Sequence, residues 1–198
     1  MNLKELRVGF ACTGSFCTFG QVFPAMEQTA KQFGAVIPIL SEYSAATDTR
    51  FGKASDFAAE MERICGRPPL TSITGVEPIG PQKLLDVLVI APCTGNTLGK
   101  MAAGITDSAV TMAAKAHLRN GGPVLLGIST NDGLAVSMRN LGDLNCRKNI
   151  YLIPFRQDNP MQKPNSLVAD MNQIPAAIAA AMEHRQLQPV LLGAKGSS

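Results

Sequence analysis

The chain has 198 residues, a length that suits one domain of ordinary size. Its 18 basic and 15 acidic side chains leave a formal charge of +3 with no basic block, and it has no tryptophan and only two tyrosines. That balance excludes an electrostatic footprint for nucleic acid and stacking platforms for single strands, while 45% hydrophobic and 17% charged residues describe a globular chain with a sizeable core.

The longest apolar run, Leu84 to Cys93, contains Asp86 and is too short to span a bilayer. The first residues run directly into a core-strand pattern with no signal-peptide character, which predicts a cytoplasmic protein. Five cysteines (Cys12, Cys17, Cys65, Cys93, Cys146) are odd in number and scattered, arguing against a disulfide framework. Only His117 and His184 are available beside them, and no zinc-ligand spacing appears, so no metal site is expected.

In chain order, Arg7 to Cys12 reads as a short buried strand ending in the turn Thr13-Gly14-Ser15. Val22, Met26, Ala30 and Phe33 form an apolar helix stripe, with Pro24 in its first turn and Gly34 at its end. Ala35 to Leu40 is a second strand, and Glu42 to Gly52 a polar loop. Phe57, Met61, Ile64 and Cys65 mark a helix closed by Gly66 and Pro68-Pro69. Asp86 to Ala91 is an almost purely apolar strand, as expected of a central parallel strand covered on both faces. Thr94 to Ala103 and Asp107 to Asn120 are helical, Pro123 to Ile128 a strand, Leu134 to Leu141 a helix and Ile150 to Phe155 the last strand. Arg156 to Lys163 reads as irregular, Asn165-Ser166 as a helix cap, and Ile174 to Met182 as a helix that Pro175 breaks or restarts. The alternation predicts a single α/β domain over residues 1–185, a doubly wound, mostly parallel sheet in a Rossmann- or flavodoxin-like three-layer sandwich. Residues 186–198 are left as a C-terminal tail, frayed at its glycine-rich end.

In such sheets ligands bind at the carboxyl ends of the strands. Four of those ends carry small polar residues: Thr13-Gly14-Ser15, Ser41, Pro92 to Thr97, and Ser129 to Asp132. Hydroxyls before helix N-termini offer O–H and backbone N–H donors together, which suits a phosphate, although each residue alone also serves as a helix cap. The first turn lacks the G-x-G-x-x-G fingerprint, no acidic residue ends the second strand, and no G-x-x-x-x-G-K-[ST] occurs. A monophosphate head group such as that of flavin mononucleotide (FMN) remains compatible. Cys93 lies on this rim without a histidine to activate it, so it reads as packing, as does Cys12. His117 and His184 lie away from the strand-end loops and read as surface or packing residues.

The stretch Val87 to Ala116, VLVIAPCTGNTLGKMAAGITDSAVTMAAKA, resembles the signature of the FMN-binding flavoproteins known as homo-oligomeric flavin-containing cysteine decarboxylases. Ala91-Pro92, Asn96-Thr97, Lys100, Gly104 and Asp107 fall in register with its A-P-x-x-x-N-T, helical Lys and G-x-x-D pattern. The resemblance implies FMN held with Gly14 and Ser15 at the phosphate and Ser41 nearby. Pro92, Thr94, Gly95, Asn96 and Thr97 would approach the ring or ribityl, covered by Thr106, Asp107 and Ser108. Asp107 reads equally well as the cap of its helix. The family's loop histidine and P-x-M-N-x-x-M-W segment are missing: Ile128 to Met138 keeps only a polar centre at Asn131, so decarboxylation of peptidyl cysteine is not expected.

The segment Pro154 to Met171, PFRQDNPMQKPNSLVADM, resembles one branch of that family, whose members form half of a two-component oxidoreductase in the mother cell of sporulating bacteria. That branch implies oxidation of a dihydropyridine dicarboxylate to the aromatic pyridine-2,6-dicarboxylate, NADP on the partner chain and a trimer-based homo-oligomer. Arg156 and Lys163, with Asn131, are then candidates to hold the dianion, while both cations read equally as solvated loop charges. Two other readings stay open: a cofactor-free scaffold or activator for the partner, and a stand-alone FMN-dependent decarboxylase or prenyltransferase.

Overall fold

Strands β1 (Arg7–Cys12) and β2 (Ala35–Leu40) occupy the spans that the apolar runs predict and pair in parallel, Arg7 opposite Ala35 through Cys12 opposite Leu40. The computed structural model describes residues 2–193. On the other side β1 pairs with β3 (Val87–Cys93), and β3 with β4 (Val124–Thr130), again in parallel. The order β2-β1-β3-β4 places the chain's reversal of direction between β1 and β3, and their carboxyl ends form the mouth of the topological switch point.

Beyond β4 the sheet forks. Its first half, Val124 to Leu126, takes β5 (Ile150–Leu152) in parallel; its last two residues, Ser129 and Thr130, take β7 (Lys163–Ala169) antiparallel, and β6 (Phe155–Asn159) pairs on β7. This corrects two expectations. The single strand over Ile150 to Phe155 is two, broken at Ile153-Pro154, and Arg156 to Lys163 with Asn165-Ser166 is a hairpin, not a loop and a helix cap. Its turn is set by Asn159, whose Oδ1 accepts the N–H groups of Met161 and Gln162 at 3.2 and 3.0 Å. The Asn-Pro dipeptide there is a turn signal, but a register shift between Gln157 and Asn159 and the proline at 164 hide the strand alternation.

Helices cover both faces. On one, α1 (Phe19–Gln32) packs with α8 (Ile174–Met182), while α3 (Ala54–Cys65) lies against α1 and β2. On the other lie α5 (Gly95–Ala102), α6 (Ala109–Arg119) and α7 (Val136–Asn145). Phe10, Leu88, Ile90, Leu125, Leu126 and Ile128 are among the fully buried side chains between these layers. Two short helices add to the expected set: α2 (Glu42–Ala46), inside the polar stretch and capped by Ser41, and α4 (Ile73–Val76). Pro24 stands in the second turn of α1 rather than the first; the carbonyl it leaves without a helical partner belongs to Gly20, an exposed residue. Pro175 opens α8 within its first two positions. Beyond residue 185, Gln186 hydrogen-bonds both backbone groups of Leu152, and Leu192 donates to the Phe155 carbonyl. Residues 194–198, most of the end expected to fray, lie outside the described residues.

His117 sits in the last turn of α6, 4% exposed, against the backbone of Gly122, and its Nε2 has no hydrogen-bond partner among the described residues. Burial pushes its imidazole below the ordinary value of 6.5, against weaker upward pulls from the Pro123 carbonyl and Asp86. The unfolded chain therefore binds the proton more readily, so this contribution to stability is complete above 6.5 and is lost as the pH falls through that value. Urea unfolding at pH 7.5, 6.5 and 5.5 is expected to lose more stability in the native chain than in His117→Gln; parallel losses would refute this.

Candidate functional site

The switch point is clasped shut by side chains that only the fold brings together. Thr13, which follows β1, donates its N–H and its hydroxyl to the Pro92 carbonyl at 3.2 and 2.7 Å, and its Oγ1 accepts the Thr94 N–H at 3.1 Å. Ser15 shares a 2.8 Å hydrogen bond with Ser129 at the end of β4, and Ser129 reaches Thr18 at 3.4 Å. From this point a short 3-10 turn, Phe16–Thr18, runs straight into α1, and the N–H groups of Gly14, Phe16 and Cys17 have no acceptor among the described residues. Phe16, Phe19, Phe23 and Phe57 stack behind the turn, with the Phe19 and Phe57 rings edge-on at 4.8 Å, and hold it in place.

A cleft of about 960 Å³ opens above this clasp. Its floor is the first turn and the start of α5; its far wall is the β6–β7 hairpin, with the loop after β4 between them. Eight candidate residues line it together: Gly14, Ser15, Thr94, Gly95, Asn96, Asn131, Arg156 and Lys163. The remaining candidates do not line it. Ser41 caps α2 through the Ser44 N–H. Pro92 is buried, its carbonyl taken by Thr13, and Thr97 is buried against its cap Thr94. Ser108, not Asp107, caps α6, in a reciprocal arrangement with Thr111. Asp107 instead pairs with Lys100 at 2.9 Å, and Thr106 precedes it outside any helix. The start of α6 is also occupied by Glu42, whose carboxylate accepts the Ala109 N–H at 2.9 and 3.1 Å.

Both hairpin cations have partners. Arg156 lies 3.5 Å from Asp170, both half-buried, and Lys163 lies 2.8 Å from Asp158 in an exposed pair that holds the ammonium above its ordinary value. Cys93 and Cys12 are fully buried, and burial pushes both thiols far up, so neither is a nucleophile at neutral pH. Thr18 and Asp170, which the sequence pattern does not single out, also line the cleft, as do Ser129 and Asp132 of the polar strand end expected to face a ligand. Ser129 and Asp132 belong to a loop whose composition singles it out; nothing local distinguishes them from ordinary capping residues.

Gly95, the first residue of α5, allows a close approach. A Cβ there would lie 2.6 Å from Asp132 Oδ1, 2.6 Å from Ser137 Oγ and 2.8 Å from Thr130 Oγ1. Those three are joined: Asp132 Oδ1 accepts the hydroxyls of Thr130 and, at 2.9 Å, Ser137. Among the described residues no helix is long and apolar enough to cross a membrane, and no cluster of three histidine, cysteine or carboxylate side chains is placed to hold a metal ion.

Comparison with known proteins agrees with this architecture. Over 191 residues the chain is 47% identical to the B component of dipicolinate synthase from Bacillus subtilis (strain 168), covering 96% of each. The crystal structure of the same synthase component from Bacillus halodurans superposes with a TM-score of 0.89 at 47% identity, over 98% of this chain and 99% of that one. Burkholderia xenovorans DmrB, a cubic protein cage solved with FMN, shares the fold at 15% identity, with a TM-score of 0.67 over 91% of this chain and 97% of its own. A family model described as Flavoprotein matches residues 1–183. With that match over nearly its whole length, a relative at 47% identity and the strand-end cleft of the fold, the chain belongs to the flavoprotein family.

Proposed function

We propose that this chain is the FMN-binding B component of a two-component dipicolinate synthase. Together with the synthase's A component it would oxidise dihydrodipicolinate to dipicolinate (pyridine-2,6-dicarboxylate) in the cytoplasm of a sporulating mother cell. The observation that carries the reading is the composition of the large cleft: hydroxyls and unclaimed N–H donors on its floor and two cations on its far wall. The residues fit the cofactor. A phosphate would take the N–H groups of Gly14, Phe16 and Cys17 and the hydroxyls of Ser15 and Ser129, at the positive end of the helical segment that continues into α1. Thr94, Gly95 and Asn96 bring the start of α5 to the cleft, where a flat ring would lie, and the volume is at the upper end of what a cofactor site needs.

When bound, the flavin supplies a two-electron acceptor. The chain's own residues supply the rest. Thr13 and Pro92 hold the two central strand ends at a fixed separation, so that floor and wall keep their spacing. Arg156 and Lys163 would meet the two carboxylates of the substrate with the N–H donors left over from their single contacts to Asp170 and Asp158; an arginine can grip a carboxylate with two N–H donors. Asn131, exposed at the loop between the walls, adds an amide to the same end. NADP is assigned to the A component, because the first turn here lacks the dinucleotide fingerprint. A trimer-based homo-oligomer is part of the reading, as the resemblance of Val87 to Ala116 implies.

Titrating FMN into the purified chain is expected to quench flavin fluorescence to a one-to-one endpoint, and dihydrodipicolinate oxidation is expected only when the A component is added. Failure to bind flavin while still activating that partner would turn the reading into that of a scaffold. Turnover by this chain alone on a decarboxylase or prenyltransferase substrate would replace it. In the assembled synthase, Arg156→Ala is expected to weaken apparent substrate affinity by about 1.5–3 kcal/mol, the range of a hydrogen bond to a charged group. An unchanged KM would remove this residue from the clamp.

A further inference from the structure

We propose that Asp132 is the base that takes the proton from the substrate ring; the proposal rests on the dipicolinate synthase reading. Converting a dihydropyridine into a pyridine removes two hydrogens. One C–H bond would break with its electron pair leaving as hydride, for which a bound oxidised flavin would be the acceptor. The other breaks with its pair closing the aromatic system, and its proton needs an acceptor in the cleft.

Among the described residues the cleft is lined by three carboxylates, Asp132, Asp158 and Asp170, and by no histidine. Asp170 is engaged at both oxygens, Oδ2 facing Arg156 at 3.5 Å and Oδ1 accepting the Asn172 N–H at 3.2 Å. Asp158 is tied to Lys163 at 2.8 Å on the exposed part of the hairpin. Asp132 differs from both: no cation lies within ion-pair distance of it among the described residues, and only its Oδ1 is occupied, by the Thr130 and Ser137 hydroxyls. Two donors on one oxygen fix the plane of the carboxylate and leave Oδ2 to receive a proton. The backbone is equally fixed, since the Asp132 carbonyl accepts the N–H groups of Ala135 and Ser137 ahead of and within α7. The location is also suitable. Asp132 lies against Gly95, at the start of the helix assigned to the flavin ring, in the loop facing the hairpin that carries Arg156 and Lys163. A base at this point stands between the electron acceptor and the carboxylate clamp.

The test uses the FMN-loaded chain with its A partner, comparing the native protein with Asp132→Asn and Asp132→Glu. Asp132→Asn is expected to bind FMN as the native chain does and to lose about 10²–10⁴ in kcat, the usual contribution of a positioned base. It is also expected to bind pyridine-2,6-dicarboxylate several-fold more tightly by calorimetry, because a like charge beside the dianion has been removed. A residue that merely supports the loop would weaken that binding instead. Asp132→Glu is expected to retain a reduced kcat with the acid limb of the pH profile still present, and that variant decides the matter should the asparagine variant lose flavin. An Asn variant with native kcat, or weaker dicarboxylate binding with FMN binding intact, overturns the assignment while leaving the synthase reading in place. If the native pair neither binds the dicarboxylate nor oxidises the dihydropyridine, the reading fails and the base falls with it.

Discussion

Gly95→Ala is expected to lower FMN affinity more than tenfold and to cost about 1–3 kcal/mol of stability, the usual range for overpacking a closed site. The new methyl group would stand 2.6 Å from both Asp132 Oδ1 and Ser137 Oγ. A flexible neighbour would simply swing aside, but these atoms are held on three sides. Ser137 is 2% exposed within α7, Thr130 is paired across the sheet to Leu167, and Asp132 is hydrogen-bonded to both. Relief therefore requires the start of α5 to move, and Thr94, Asn96 and the Thr13 clasp move with it. Flavin fluorescence titration and urea unfolding read the two effects separately. Native FMN affinity in this variant would show that the start of α5 is not the floor of the flavin site.

Gly34→Ala is expected to act on the other end of the sheet, with a different signature. A Cβ there would lie 2.4 Å from the Lys4 carbonyl oxygen, 3.0 Å from the Glu5 carbonyl carbon and 3.0 Å from the Leu6 carbonyl oxygen. All three are backbone atoms, and the Leu6 carbonyl also accepts the N–H groups of Gly34 and Ala35, which start the β1–β2 ladder. No rotamer change relieves such a contact, so the first strand must shift against the second. A loss of about 3 kcal/mol is expected, lowering Tm by roughly 6–12 °C in a chain of this size. Because the cleft lies at the carboxyl ends of the strands, FMN affinity per folded molecule should be unchanged. A Tm within a degree of the native value would contradict this.

The contrast between the two glycines also shows what the sequence reveals. Strands β1 and β2 are legible to the residue, because a parallel strand covered on both faces must be apolar throughout and both runs end sharply, at Thr13 and Ser41. The loops that bear the candidate site are legible as loops for the same reason, and eight of the candidate residues meet in one cleft. What pattern cannot supply is which hydroxyl faces which. Ser15 and Ser129 are 114 positions apart, and both look like helix caps until the strands are laid side by side. Ser41 and Ser108 have the same local appearance and do serve as caps. The hairpin is hidden differently: its turn-proximal half is polar, and one register shift removes the alternation by which a strand is recognised.

The forked edge of β4 has a consequence for how this architecture diversifies. The hairpin pairs with the parallel scaffold at Ser129 and Thr130 and buries its ends, Phe155, Leu167 and Ala169, in the core, whereas its outer part, Asp158 to Asn165, stands largely exposed beyond it. Substitutions or insertions between Asp158 and Asn165 can therefore reshape the far wall of the cleft without disturbing the core or the Thr13 clasp on its floor. In this chain the wall of the cleft that can vary at little cost and the floor that cannot are carried by separate segments.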